Sequence, residues 1–126
     1  MAKSNSQQTD DNTPELGQLS VDVYESPAQL IILAPIAGVK LSDISLNLTE
    51  DVLTIEGHRR LEDEMAGDDY LIQECFWGAF SRSIVLPDNA DTGRISASFK
   101  DGILKITIPK TGSGDQKTKL IRIKND

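Results

Sequence analysis

The chain has 126 residues, 38% of them apolar, with 20 acidic against 13 basic side chains and a formal net charge of −7. That length and apolar content suit one domain with one core, and the acidic balance disfavours nucleic acid and anionic membrane, since a backbone binder needs a basic face to release counterions. No apolar run approaches the roughly eighteen residues of a bilayer span, and the first twenty residues lack the apolar segment of a secretory signal, so the expected location is the cytoplasm. One cysteine fits that compartment, because an intramolecular disulfide needs two. Cys75 could bridge two subunits on oxidation, and a small buried thiol is the favoured reading.

Residues 1–19 are polar, contain Pro14 and Gly17, and show no apolar period, which predicts a short disordered arm. Strand signals begin after it. Val21 to Tyr24 and Gln29 to Ile36 flank a turn at Ser26-Pro27, and Pro35 with Gly38 closes the second. Ile44, Leu46 and Leu48 alternate with Ser45, Asn47 and Thr49, and Glu50-Asp51 turns into Val52 to Glu56, with Leu53 and Ile55 on one face. The stretch from Arg59 to Gln73 is long for a connection, acidic through Asp69, and ends in Tyr70-Leu71-Ile72. Its Glu62, Asp63, Glu64, Asp68 and Asp69 lack the order of a calcium loop, so a solvated acidic loop is expected and no metal.

Phe80 to Leu86 reads as a strand stopped by Pro87, which has no N–H for a ladder. After a polar loop, Ile95, Ala97 and Phe99 alternate with Ser96, Ser98 and Lys100, and Asp101-Gly102 is a two-residue hairpin signal before Ile103 to Ile108. Turn signals at eight- to twelve-residue spacing, with no helical period, predict an antiparallel β-sandwich. Thr111 to Lys119 is a Gly/Ser-containing linker; it misses the phosphate-loop pattern, which needs glycine directly before the lysine. In the tail, Ile121 and Ile123 point one way and Arg122 the other if the chain is extended, which fits an edge strand or a frayed end. His58, beside Arg59 and Arg60 at a strand end, has no serine or cysteine placed with it and reads as a solvent-facing side chain. No catalytic, cofactor or metal residues are expected.

The run G-x-F-x-R-x-x-x-L-P at Gly78 to Pro87, followed by A-x-F-x-D-G-I-L at Ala97 to Leu104 and by Pro109-Lys110, resembles the α-crystallin domain of small heat shock proteins, over about residues 21–124. The resemblance implies an all-β, immunoglobulin-like antiparallel sandwich at residues 20–110, a short arm at 1–19 and a C-terminal extension at 111–126. It implies an ATP-independent chaperone that holds unfolding client proteins, assembles with itself as a dimer or larger, and meets other small heat shock proteins. The I-x-I tail, Ile121 and Ile123, would plug an apolar groove of a neighbouring subunit. By spacing, Leu46, Leu48, Ile95, Ala97 and Phe99 are candidates to line that groove, with plain core as the alternative, above all for Phe99. The acidic loop, with Leu61, Met65, Tyr70, Leu71 and Ile72, would carry a strand that swaps onto a partner subunit. Arg82 corresponds to the family's arginine, with Glu74 or the acidic loop as its carboxylate partner. Two features depart from the pattern: the arm has only Leu16 and Leu19 as sizeable apolar residues, and Cys75 stands where many members place arginine. The rival reading is an interaction module of the same sandwich type, like the cochaperones of an ATP-driven chaperone.

Overall fold

Period-two alternation buries one side of most long strands; at 29–35, Ile31 is buried as well as Leu30 and Ile32. In the computed structural model, which describes residues 17–62, 67–111 and 119–125, the strands are β1 (Gly17–Gln18), β2 (Asp22–Glu25), β3 (Gln29–Pro35), β4 (Ile44–Thr49), β5 (Val52–Arg59), β6 (Gly78–Val85), β7 (Ser96–Lys100), β8 (Ile103–Pro109), β9 (Lys119–Ile121) and β10 (Ile123–Asn125). They form two five-stranded sheets, in the orders β1-β6-β5-β4-β9 and β10-β7-β8-β3-β2. Ile44, Leu46 and Leu48 of β4 share one core cluster with Leu104, Ile106 and Ile108 of β8, to which Leu53, Ile55 and Ile32 also belong. Each such side chain contributes about 1.5–3 kcal/mol when fully buried. No helix of the described residues is long and apolar enough to cross a membrane.

The turns follow their residue chemistry. Asp101 and Gly102 both have positive φ, 53° and 78°, the requirement of the tight hairpin turn whose twist matches that of the strands it joins. Gly102 also accepts a hydrogen bond from the Ile36 N–H at 2.6 Å, tying the β7–β8 turn to the end of β3. At the opposite end, the Asp91 side chain accepts from Gly93 N–H at 3.2 Å and starts a short 3-10 turn, Thr92–Arg94.

Strand β5 runs to Arg59, three residues past the expected end at Glu56, because β6 pairs with it down to Arg59 opposite Gly78. Gly57 interrupts the side-chain pattern there and hides the continuation. The glycine is required by packing. An added Cβ would lie 2.4 Å from the Phe80 ring and 2.9 Å from the Asp43 carbonyl oxygen. The Arg59 guanidinium lies 5.4 Å from the same ring's centroid while its Nε donates to the Ala37 carbonyl at 2.8 Å.

Leu19, expected in the arm, is buried in the core, and Gly17–Gln18 pairs with β6. The sandwich also differs from a purely antiparallel one. β1 with β6 and β10 with β7 pair in parallel. Both come from the chain's ends, where no hairpin forces the direction to alternate.

Replacing Gly57 with alanine is expected to destabilise the domain by about 1–3 kcal/mol through overpacking, whereas Gly67→Ala, where a Cβ meets nothing within 4 Å, should stay within about 0.5 kcal/mol. Equilibrium unfolding in urea distinguishes the two; equal midpoints would contradict the packing at Phe80.

Candidate functional site: a tail-filled groove and an open edge

β4 and β7 are the outer strands of the two sheets on one side of the sandwich, and the C-terminal tail lies along both. β9 pairs antiparallel with β4, placing Ile121 opposite Leu46 and Lys119 opposite Leu48. The chain then crosses between the sheets at the exposed Arg122, and β10 runs parallel to β7, with Ile123 opposite Ala97 and Asn125 opposite Phe99. Ile121 and Ile123 are half-buried against the core. Together with Leu41, Ile44, Ser45 and Leu46 they line a depression of about 260 Å³. Ile121, Arg122 and Ile123 thus divide as period-two geometry dictates.

The structure sorts the expected groove residues. Leu46 both faces the core and lines the depression beside the tail. Leu48, Ala97 and Phe99 stand in register with the tail's backbone, yet they are buried core, at 0%, 4% and 9% exposure. Ile95 is half-buried against the core and does not line the depression. Leu41 and Ile44 were missed. Ile44 opens the Ile44-Leu46-Leu48 alternation, which was the available signal; Leu41 sits in a 3-10 turn, Leu41–Asp43, whose place beside the groove no local pattern marks.

On the opposite side, β2 is the outer strand beside β3, and all four of its residues are exposed. Val23 and Tyr24 stand 47% and 52% exposed. In the connection after β5, Leu71 is 99% and Ile72 76% exposed, while Leu61 and Tyr70 are half-buried. Met65 lies outside the described residues. Cys75 is exposed, not the buried thiol expected, because 72–77 lies between elements with no strand to bury it.

Arg82, expected to pair with Glu74 or the acidic loop, holds a backbone carbonyl; Asp63 and Glu64 of that loop lie outside the described residues. Its Nη1 donates to the Leu19 backbone carbonyl at 3.0 Å. The ion pairs of the described residues are Arg60–Asp43, Arg94–Asp91 and Lys110–Glu25, at 3.1, 3.6 and 2.8 Å, and none engages Arg82 or Glu74. Glu74 is exposed in the same strandless stretch as Cys75. Arg82 instead helps hold the entry of the chain, where Gly17 fits under the Phe76 ring; a Cβ there would come within 2.7 Å of it. Among the described residues no group of three or more His, Cys, Asp or Glu side chains is arranged to hold a metal, and His58 is exposed.

Comparison with known proteins gives one family. The model of the Hsp20/alpha crystallin family matches residues 22–124. The chain is 37% identical over 102 residues to small heat shock protein C4 of Rickettsia felis, covering 81% of this chain and 61% of that relative, so the match spans under two thirds of its length. Two crystal structures share the fold. A small heat-shock protein from Xylella fastidiosa, described as having a distinct high order structure, superposes with TM-score 0.68 at 34% identity, over 75% of this chain and 87% of that one. The hspA of Xanthomonas axonopodis gives 0.70 at 29% identity, over 79% and 99%.

Replacing Ile121 and Ile123 together by alanine removes the apolar fill of the groove without touching the main core. Binding of a hydrophobic reporter dye should rise severalfold while far-UV circular dichroism stays unchanged. Unaltered dye binding would mean that these two side chains do not cover the groove in solution.

Proposed function

Because this chain belongs to the Hsp20/alpha crystallin family, we propose that it is an ATP-independent, cytoplasmic holdase, a small heat shock protein that binds unfolding client proteins and limits their aggregation. The observation that carries the reading is an apolar groove covered by a weakly held piece of the chain. A fully buried isoleucine contributes about 1.5–3 kcal/mol. Ile121 and Ile123 are only half-buried, so the pair supplies about that much in total, and ordering the tail consumes a large part of it. A cover held so loosely opens on thermal fluctuation and exposes Leu41, Ile44 and Leu46 to other apolar segments. The activity needs no cofactor and no covalent step.

Self-assembly uses the same elements. The tail that fills its own groove fits a neighbour's equally well, and many weak contacts in one assembly hold through effective concentration. The high order structure described for the Xylella fastidiosa relative supports assembly beyond a dimer. The dimer itself forms at β2, whose exposed edge accepts the segment carrying Leu61, Met65, Tyr70, Leu71 and Ile72 from a partner, reciprocally about a two-fold axis. Other small heat shock proteins with the same groove and tail are further partners.

One observation favours the rival reading of a cochaperone-like interaction module. Of the arm's two sizeable apolar residues, Leu19 is committed to the core, which leaves little apolar surface at that end for client capture.

The deciding experiment is light scattering from a heat-labile client, without nucleotide, at an equimolar ratio against an inert protein. Suppressed scattering is expected; unchanged scattering at all temperatures would remove the holdase and leave the interaction module. Native mass tests the assembly: the wild type should be a dimer or larger, and deletion of residues 62–69 should yield monomers. Dimers surviving that deletion would rule out the swapped segment.

A further inference from the structure

The outer face of β10, β7 and β8 concentrates positive charge that neither the core nor the tail's isoleucines require. Ala97 and Phe99 are buried, so Ser96, Ser98 and Lys100 face outward on β7; Leu104, Ile106 and Ile108 are buried, so Lys105 and Thr107 share that face from β8. Register puts Lys124 opposite Ser98, and Ser98 opposite Lys105. The two lysines flank one serine on a single rung, two strand spacings or about 10 Å apart at the backbone, and their long flexible stems can bring both ammonium groups over Ser98. Ser96, Ala97, Ser98, Lys105, Thr107 and Lys124 line a shallow depression of about 220 Å³. Lys100, next outward on β7, is also exposed.

No carboxylate occupies an outward position of these three strands. Among the described residues, the acids bordering this face are Asp101, in the β7–β8 turn, and Asp22, at the far end of the rung that runs through Leu33 to Lys105; Asp126, two residues after Lys124 in the sequence, lies outside the described residues. None of the three lysines joins an ion pair among the described residues. In a chain of net charge −7 this face is locally cationic, and like charges gathered on neighbouring strands repel.

We propose that this face binds a tetrahedral oxyanion of the phosphate class, and that the docked tail completes the site. Lys105 and Lys124 supply the charge, and the hydroxyls of Ser96, Ser98 and Thr107 supply neutral donors. Lys124 belongs to the tail, so an undocked chain keeps only part of the site. An anion that binds the docked form alone stabilises it by RT ln(1 + [L]/Kd), and therefore opposes opening of the groove. The inference depends on the docked tail and not on holdase activity.

Backbone hydrogen exchange of the full chain provides the test, with inorganic phosphate and tripolyphosphate each compared with chloride at equal ionic strength. Exchange across 119–125 should slow, on the order of tenfold at an anion concentration about ten times its Kd, while the β3–β8 pair is unaffected. Lys105→Gln and Lys124→Gln should each abolish that gain. Lys105→Gln, outside the tail, should also slow tail exchange in chloride, because it removes a like charge. An effect of tripolyphosphate alone assigns the site to phosphoryl chains, and an effect of both to free phosphate as well. Tail exchange equal to that in chloride with both phosphate and tripolyphosphate, or a gain that persists in the double variant, overturns the site. A tail unprotected in every buffer overturns the docked tail with it, while leaving the scattering assay to judge the holdase.

Discussion

A two-layer sandwich leaves backbone N–H and C=O groups without partners along its outer strands, and the way each edge is closed shapes the rest of this molecule. On one side, β9 and β10 take up the edges of β4 and β7. On the other, β1 covers β6 only at Phe80 and Ser81, and β2 pairs with nothing beyond β3 among the described residues. Three of the four outer strands thus receive backbone partners from the chain's own ends. The remaining one, β2, has every residue exposed, and the connection after β5 carries the exposed apolar side chains Leu71 and Ile72.

The covers and the body differ in strength. The body rests on side chains with no exposure at all, such as Ile32, Leu53, Ile55 and Ile106, and on close fits such as Gly57 under the Phe80 ring. The tail rests on two half-buried isoleucines and a few backbone pairs. Local opening draws on the elements with the fewest buried apolar contacts, so the tail can leave while the sandwich persists. A stable frame with exchangeable covers is a sufficient physical basis for reversible capture and for assembly through the same surface.

Charge refines this division. The acidic excess lies elsewhere in the chain, while the tail brings Lys124 to a face that already carries Lys100 and Lys105. The tail's docking is therefore electrostatically opposed on its outer side and favoured by apolar contact on its inner side. Such a balance makes the cover responsive to ions as well as to temperature.

Much of this architecture was legible from local sequence. Ile44-Leu46-Leu48, Ala97 and Phe99, and the Asp101-Gly102 turn announced strands, inward faces and a hairpin, because side-chain alternation and turn chemistry act over neighbouring residues. The spacing of Ile121 and Ile123 also announced one shared face. What lay beyond reach was every feature that depends on which strands become neighbours. Leu41 beside the groove, Arg82 bound to the Leu19 carbonyl, the exposure of Cys75, the parallel pairing of the chain's ends and the placement of Lys105 and Lys124 on either side of Ser98 all follow from sheet order and register. The amino-acid sequence alone determined the strands, the core and the family resemblance, through contacts short in sequence. The tertiary structure alone decided the edges, their covers and their charges, because long-range pairing sets them and no local pattern encodes it.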